Sequence, residues 1–107
     1  MILIDEWFKM RRFPGIVSRD GPTGRRAGLA RGPDVWEIVR DLKRHSAEDD
    51  PVSLVAEETG LASELIDLAA DYYATFPGEI DDRIAADARA AEELRALAER
   101  RERRLSP

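Results

Sequence analysis

Apolar residues recur at the three- and four-residue spacing of an amphipathic helix in several segments after residue 32. The first of these segments begins at residues 32–34, where Pro33 occupies a position that a first helical turn tolerates. Its last turn places Lys43 and Arg44 at the negative end of the helix dipole, so we expect the helix to end near His45. The apolar positions that predict it are Val35, Ile38, Val39 and Leu42.

Two further helices are predicted with the spacing of a helix-turn-helix. Asp50 is placed to cap the first helix, with Pro51 at its first position, and Gly60 suits the positive φ of a tight turn. The second helix continues until the Phe-Pro-Gly sequence at residues 76–78 stops it. An ordinary αα-hairpin has the same packing needs and is the alternative interpretation. The residues expected to pack the two helices together are Val55, Ala56, Leu61, Ile66 and Ala69.

Residues 13–29 predict a β-hairpin, because two short extended runs flank a turn-rich pentapeptide at residues 20–24. The predicted fold class is therefore mainly α, with an N-terminal β-hairpin followed by a helix, a helix-turn-helix and a long C-terminal helix. We place the hairpin and helix-turn-helix domain at residues 1–78, and the extended C-terminal helix and basic tail at residues 79–107.

The last helix is predicted from Glu79 to about Leu105. At 1.5 Å per residue it would be roughly 40 Å long, whereas a domain of this size has a radius of gyration of about 13 Å. We therefore expect this helix to project or to pack on something else. Its apolar stripe is narrow and consists of Ile84, Ala88, Ala91, Leu94, Leu97 and Ala98.

The composition fits one small domain and excludes several kinds of site. The chain has 107 residues, of which 43% are hydrophobic and 36% charged. It contains no cysteine, which excludes disulfides, thiolate nucleophiles and sulfur-ligated zinc, and the single His45 cannot build a histidine metal centre. Because no catalytic constellation is found, we expect a non-enzymatic protein without a cofactor or metal. The aromatic residues expected in the core are Trp7, Trp36, Tyr72 and Tyr73.

A membrane span requires roughly 20 consecutive apolar residues, and the longest uncharged runs of this chain are much shorter. At the start of the sequence the apolar residues precede the cations. A secretory signal has the opposite order, with its cations first. We therefore expect a cytoplasmic protein with no membrane partner.

The net charge of −5 averages over three unlike segments. Residues 1–31 carry seven cations against three anions, a net charge of +4, and residues 32–82 carry three cations against fourteen anions, a net charge of −11. Residues 83–107 carry seven arginines against five acids, a net charge of +2. Either the basic ends have different partners, or they fold back on the acidic middle.

The charge pattern argues against DNA binding by the second helix of the helix-turn-helix. Its exposed face is predicted to consist of Ser63, Glu64, Asp67, Leu68 and Asp71, and three carboxylates would meet the phosphate backbone. If DNA is bound, the candidate contacts are the cations of the N-terminal part. An equally weighted alternative is that these cations only keep the hairpin edge soluble. They are Lys9, Arg11, Arg12, Arg25 and Arg26.

The chain ends in a cluster of arginines that suits an acidic partner surface. Its alternative interpretation, with about equal weight, is a frayed and solvated terminus. The candidate contacts with such a partner are Leu97, Arg100, Arg101, Arg103 and Arg104.

The sequence resembles a family of small bacterial antitoxins, VapB-like proteins whose genes commonly lie beside genes for PIN-domain ribonuclease toxins. The resemblance covers about residues 13–82. It rests on GRRAGL at residues 24–29, GPDVWEIV at 32–39, VAEETGL at 55–61, DYYA at 71–74 and PGEI at 77–80.

The resemblance implies a cognate ribonuclease toxin and often a homodimer that represses its own operon by binding operator DNA. Family antitoxins block their toxins with a C-terminal segment, and PIN-type nucleases hold Mg²⁺ with clustered carboxylates. We therefore assign toxin binding to Leu97 and the four terminal arginines, which would occupy that acidic cleft. Two other functions remain open at this stage: a DNA-binding regulator without a toxin, and a structural dimerisation module.

Overall fold

The computed structural model describes residues 4–21 and 24–106. A first helix, α1 (Ile4–Arg12), precedes the hairpin strands β1 (Ile16–Arg19) and β2 (Arg26–Leu29). Four helices follow: α2 (Val35–Arg44), α3 (Pro51–Thr59), α4 (Ser63–Thr75) and α5 (Pro77–Leu105). The predicted class, mainly α with an N-terminal hairpin and a long C-terminal helix, is confirmed.

The hairpin is antiparallel and pairs Ile16 with Leu29 at its base and Arg19 with Arg26 near the turn. Ile16 and Leu29 are buried, so the base of the hairpin joins the core, whereas Asp20 and Gly24 beyond its other end are exposed. The predicted turn includes Pro22 and Thr23, which lie outside the described residues.

Local signals in the sequence account for the ends of α3. The Asp50 carboxylate accepts a hydrogen bond from the backbone N–H of Ser53 at 3.2 Å, and Pro51 occupies the first turn. Gly60 ends the helix with a φ of +74°, a left-handed conformation that favours glycine. Each of these features was predicted from the sequence.

The core lies where α2, α3 and α4 meet under the hairpin. Val35, Val39, Val55, Ile66 and Ala69 are buried almost completely, and α2 contacts each of the other two helices. Burial of these apolar side chains supplies the main favourable term for folding. The predicted packing of the helix-turn-helix through Val55, Ile66 and Ala69 is thus observed.

Three local expectations were wrong. Residues 4–12 form α1, which was not predicted, and Trp7 is exposed on that helix instead of lying in the core. Leu68 is half-buried and packs against the core instead of lying on the exposed face of α4, since its side chain lies next to Gly15. The last helix begins at Pro77, two residues before Glu79, because proline is favoured in a first helical turn.

Candidate partner-binding site on the C-terminal helix

The first turn of α5 is held to the body of the protein through Glu79. The hydroxyl of Tyr72 in α4 donates to Glu79 Oε1 at 2.8 Å, and Nζ of Lys9 in α1 lies 2.7 Å from Glu79 Oε2. Burial of the Tyr72 hydroxyl, together with its hydrogen bond to this carboxylate, raises the Tyr72 pKa far above its usual range. Glu79 therefore joins α1, α4 and α5 at one point.

A second carboxylate fixes the same end of α5 to α2. Asp81 Oδ1 accepts a hydrogen bond from the Tyr73 hydroxyl at 2.8 Å and lies 3.0 Å from Nζ of Lys43. The hydrogen bond from Tyr73, followed by that from Lys43, lowers the pKa of Asp81 below its ordinary value. With Ile80 buried between these two acids, the first two turns of α5 have a defined direction.

The remainder of α5 runs away from the body. Nη1 of Arg40 in α2 lies 3.9 Å from Asp87 Oδ2, and this is the last ion pair between α5 and another helix among the described residues. Residues 88–105, hereafter the outer half of α5, are then almost entirely exposed. The exposed fractions of Leu94, Leu97 and Leu105 are 67%, 44% and 80%. The outer half of α5 therefore has large apolar side chains exposed to solvent.

The four terminal arginines lie at the end of this projecting helix. Arg100, Arg101, Arg103 and Arg104 are exposed, and within the described part of the chain none forms an ion pair closer than 4 Å. Arg95, one turn earlier, is instead paired with Glu92 on the same helix. The five residues predicted to contact the toxin, including Leu97, therefore lie along one exposed segment of α5.

The five cations predicted to contact DNA are placed differently. Arg25 donates from Nε and Nη2 to the two Glu6 carboxylate oxygens at 3.0 and 2.6 Å, and its Nη1 lies 3.0 Å from Asp20. Arg26 pairs with Asp34, and Lys9 pairs with Glu79. These ion pairs reduce the charge that three of the five candidates present to an external phosphate.

The other two candidates lie on aromatic rings. The guanidinium of Arg11 is 4.8 Å from the centre of the Trp7 ring, and that of Arg12 is 5.8 Å from the Phe13 ring. Lys9, Arg25 and Arg26 line one shallow cleft, which they share with the carboxylates of Asp5, Glu6 and Glu79. Cations and acids thus alternate there, and DNA binding by these residues stays a prediction.

The acidic face of α4 is present as predicted, apart from Leu68. Glu64, Asp67 and Asp71 are exposed, and none of them forms an ion pair within the described segments. This face remains unsuited to a phosphate backbone.

A notch that the sequence did not predict separates α5 from the start of α2. It has a volume of about 310 Å³, and its walls carry Trp36 and Glu37 on one side and Ala86, Asp87 and Ala90 on the other. Arg26, Asp34 and Arg83 complete the lining. No local signal marks the notch, since its walls come from residues that are about 50 positions apart in the chain.

Among the described residues, no cluster of side chains suited to a metal ion is found. None of the helices in this part of the chain combines the length and apolar character needed to cross a membrane. Comparison with protein-family models, with curated proteins and with solved structures finds no match to this chain.

Proposed function

We propose that this protein is the antitoxin of a bacterial toxin–antitoxin pair, and that the outer half of α5 covers the active site of a PIN-domain ribonuclease. The protein acts by binding and performs no chemistry of its own. The family resemblance of residues 13–82 supplies the class of partner, and the outer half of α5 supplies the binding segment.

The observation that carries this proposal is the set of four exposed guanidinium groups within residues 100–104, which form no ion pair with the described residues. Each guanidinium can donate two parallel hydrogen bonds to a carboxylate, which makes arginine suited to an acidic, metal-binding cleft. Leu97, one turn earlier, would pack against the apolar rim of such a cleft. Occupation by the helix would exclude both Mg²⁺ and RNA.

The contrast between the two basic ends favours a ribonuclease over DNA as the main partner. Arg25 and Arg26 at the hairpin form ion pairs with Glu6, Asp20 and Asp34, whereas the four terminal arginines pair with no acid in the described ranges 4–21 and 24–106. Binding of phosphate by the hairpin would first have to break ion pairs that stabilise the fold, and this lowers the net gain in free energy.

The proposal requires a gene for a PIN-domain ribonuclease beside this one, and its absence would refute the proposal. The direct test is inhibition of that ribonuclease, measured as cleavage of a fluorescent RNA at increasing concentrations of this protein. The variant replaces Arg100, Arg101, Arg103 and Arg104 with alanine. The control replaces Arg89 and Arg95 of the same helix with alanine. It keeps the helix length and removes two charges, instead of four, from positions outside the terminal cluster.

We expect the quadruple variant to inhibit about 100-fold less well, since losing several charge-assisted contacts costs on the order of 3 kcal/mol of binding free energy. The control should inhibit like the unmodified protein. Full neutralisation by the quadruple variant, with circular dichroism showing an intact fold for both, would refute the proposal.

A further inference from the structure

One face of α5 carries a charge pattern that is complementary to itself. Positions 87, 90, 94, 97, 101 and 104 are separated by alternating steps of three and four residues, so they lie along one side of the helix. The residues along this seam are Asp87, Ala90, Leu94, Leu97, Arg101 and Arg104. An acid therefore stands at one end, leucines at the centre and arginines at the other end.

The seam maps onto itself when a second helix is placed antiparallel to the first. With Leu94 opposite Leu97 of a second copy, Ala90 meets its Arg101 and Asp87 meets its Arg104. Each of these contacts occurs twice, as a two-fold axis requires. A parallel arrangement would instead set Arg101 and Arg104 against the same residues of the second copy, and it would crowd the two bodies at one end.

The notch lies at the matching position. Ala86 and Ala90 form its α5 wall, and in the same register Ala86 is opposite Leu105 of the second copy. The arginine end would then enter a space whose lining carries the acids Asp34, Glu37 and Asp87 and the cations Arg26 and Arg83. Arg26 is paired with Asp34, and Leu105 would reach toward Trp36. Glu37 has no ion pair of its own within the described segments. One occupant thus accounts for both the exposed leucines and the notch.

We propose that two copies of this chain associate through antiparallel α5 helices, with the basic end of each helix in the notch of the other. The contact is one helix wide and has alanine at several positions, so we expect a weak and concentration-dependent dimer. The proposal does not depend on the ribonuclease, although both partners would use Leu97 and the terminal arginines.

The experiment is sedimentation equilibrium of the full chain over the micromolar to millimolar range. The variants are Asp87→Arg, Arg104→Asp and the double variant that combines them. Arg89→Asp, on the opposite side of the same helix, is the matched control. Arg104 lies far from the core, so Arg104→Asp tests the interface even if Asp87→Arg disturbs the 3.9 Å pair with Arg40.

We expect each single reversal to weaken dimerisation about tenfold or more, because it converts two symmetry-related attractions into repulsions. The double variant should restore the dimer, and the Arg89→Asp variant should match the unmodified chain. A monomer at all concentrations, a dimer that ignores the single reversals, or a double variant that stays dissociated would each overturn the proposal.

The two proposals fail independently. Dimerisation is measured without any ribonuclease, and the double variant should recover self-association while remaining a poor inhibitor, because Arg104 is lost from the toxin-binding cluster.

Discussion

Replacing Tyr72 with phenylalanine tests whether the root of α5 is held by the Glu79 contact. The substitution removes one hydroxyl and keeps the ring, which packs edge-on against Phe13 and tilted against Phe76, at 5.3 and 5.0 Å between ring centres. Tyr72 is 2% exposed, so water cannot readily take the place of the lost hydroxyl. The change therefore isolates the 2.8 Å hydrogen bond to Glu79.

The size of the effect follows from the charge on the acceptor. A hydrogen bond to a charged group contributes about 1.5–3 kcal/mol to stability. The Glu79 side chain is 35% exposed and keeps its contact with Lys9, so the lower end of that range applies. We expect a loss of about 1.5 kcal/mol in the free energy of unfolding, which corresponds to a fall of about 6 °C in Tm for a domain of this size.

The assay is thermal and urea unfolding followed by circular dichroism. Tyr73→Phe is the matched control, because it removes the same hydroxyl from the next residue. That hydroxyl donates to Asp81, whose side chain is 48% exposed. Water can replace that bond, so the control should lose clearly less stability. An equal loss in the two variants, or no measurable loss in Tyr72→Phe, would refute the reasoning.

Two further predictions concern the same helices. Asp81→Asn should lower stability at about pH 7, and the loss should shrink as the pH falls below 3.8. The hydrogen bonds from Tyr73 and Lys43 hold the folded-state pKa of Asp81 below its ordinary value of 3.8, so its stabilising effect is present above that value and is lost as the pH falls through the folded-state pKa. A urea-midpoint difference that does not shrink in acid would contradict this. Gly60→Ala should cost about 1–2 kcal/mol because alanine disfavours the φ of +74°, whereas Gly78→Ala, in the first turn of α5 with open space around it, should be neutral or stabilising; equal unfolding midpoints for the two would refute the backbone argument.

The central helices could be predicted because their boundaries are encoded locally. Asp50, Pro51 and Gly60 each act on the backbone within a few residues, through a cap, a fixed φ and a left-handed turn. The apolar positions of α2 recur with the helical period, and Val35, Ile38 and Val39 are in fact buried. Such features need no knowledge of the tertiary fold.

The helix α1 was not predicted because contacts with residues distant in the sequence contribute much of its stability. A nine-residue helix is marginal on its own, and its apolar residues do not form one clear stripe, since Trp7 and Phe8 are exposed. Contacts with Arg25 and Glu79 hold it in place. One local signal was available, since acids lie in its first turn and cations in its last, as the helix dipole favours.

Only one of the two predicted sets of binding residues could be judged from the sequence, because the contacts of the N-terminal cations involve residues distant in the chain. The cluster of terminal arginines could be identified because its members are neighbours in the sequence, and they are exposed in the structure. The pairing of Lys9 with Glu79 joins residues 70 positions apart, so no local pattern could show that this cation is already engaged.

The two basic ends of the chain differ in whether their cations form ion pairs within the fold. The N-terminal end folds back on acids of its own segment and of the acidic middle, through Lys9, Arg25 and Arg26, and its charge therefore serves the fold. The C-terminal end lies on a helix whose last ion pair with another helix, among the described residues, is that of Asp87 with Arg40, and its four terminal arginines are exposed. Exposed charge costs little free energy in water, and a partner that buries it with a complementary surface gains both charge-assisted contacts and apolar area. The arrangement therefore fits a protein whose body positions a helix for another macromolecule, and it explains why a ribonuclease and a second copy of the chain would compete for the same residues.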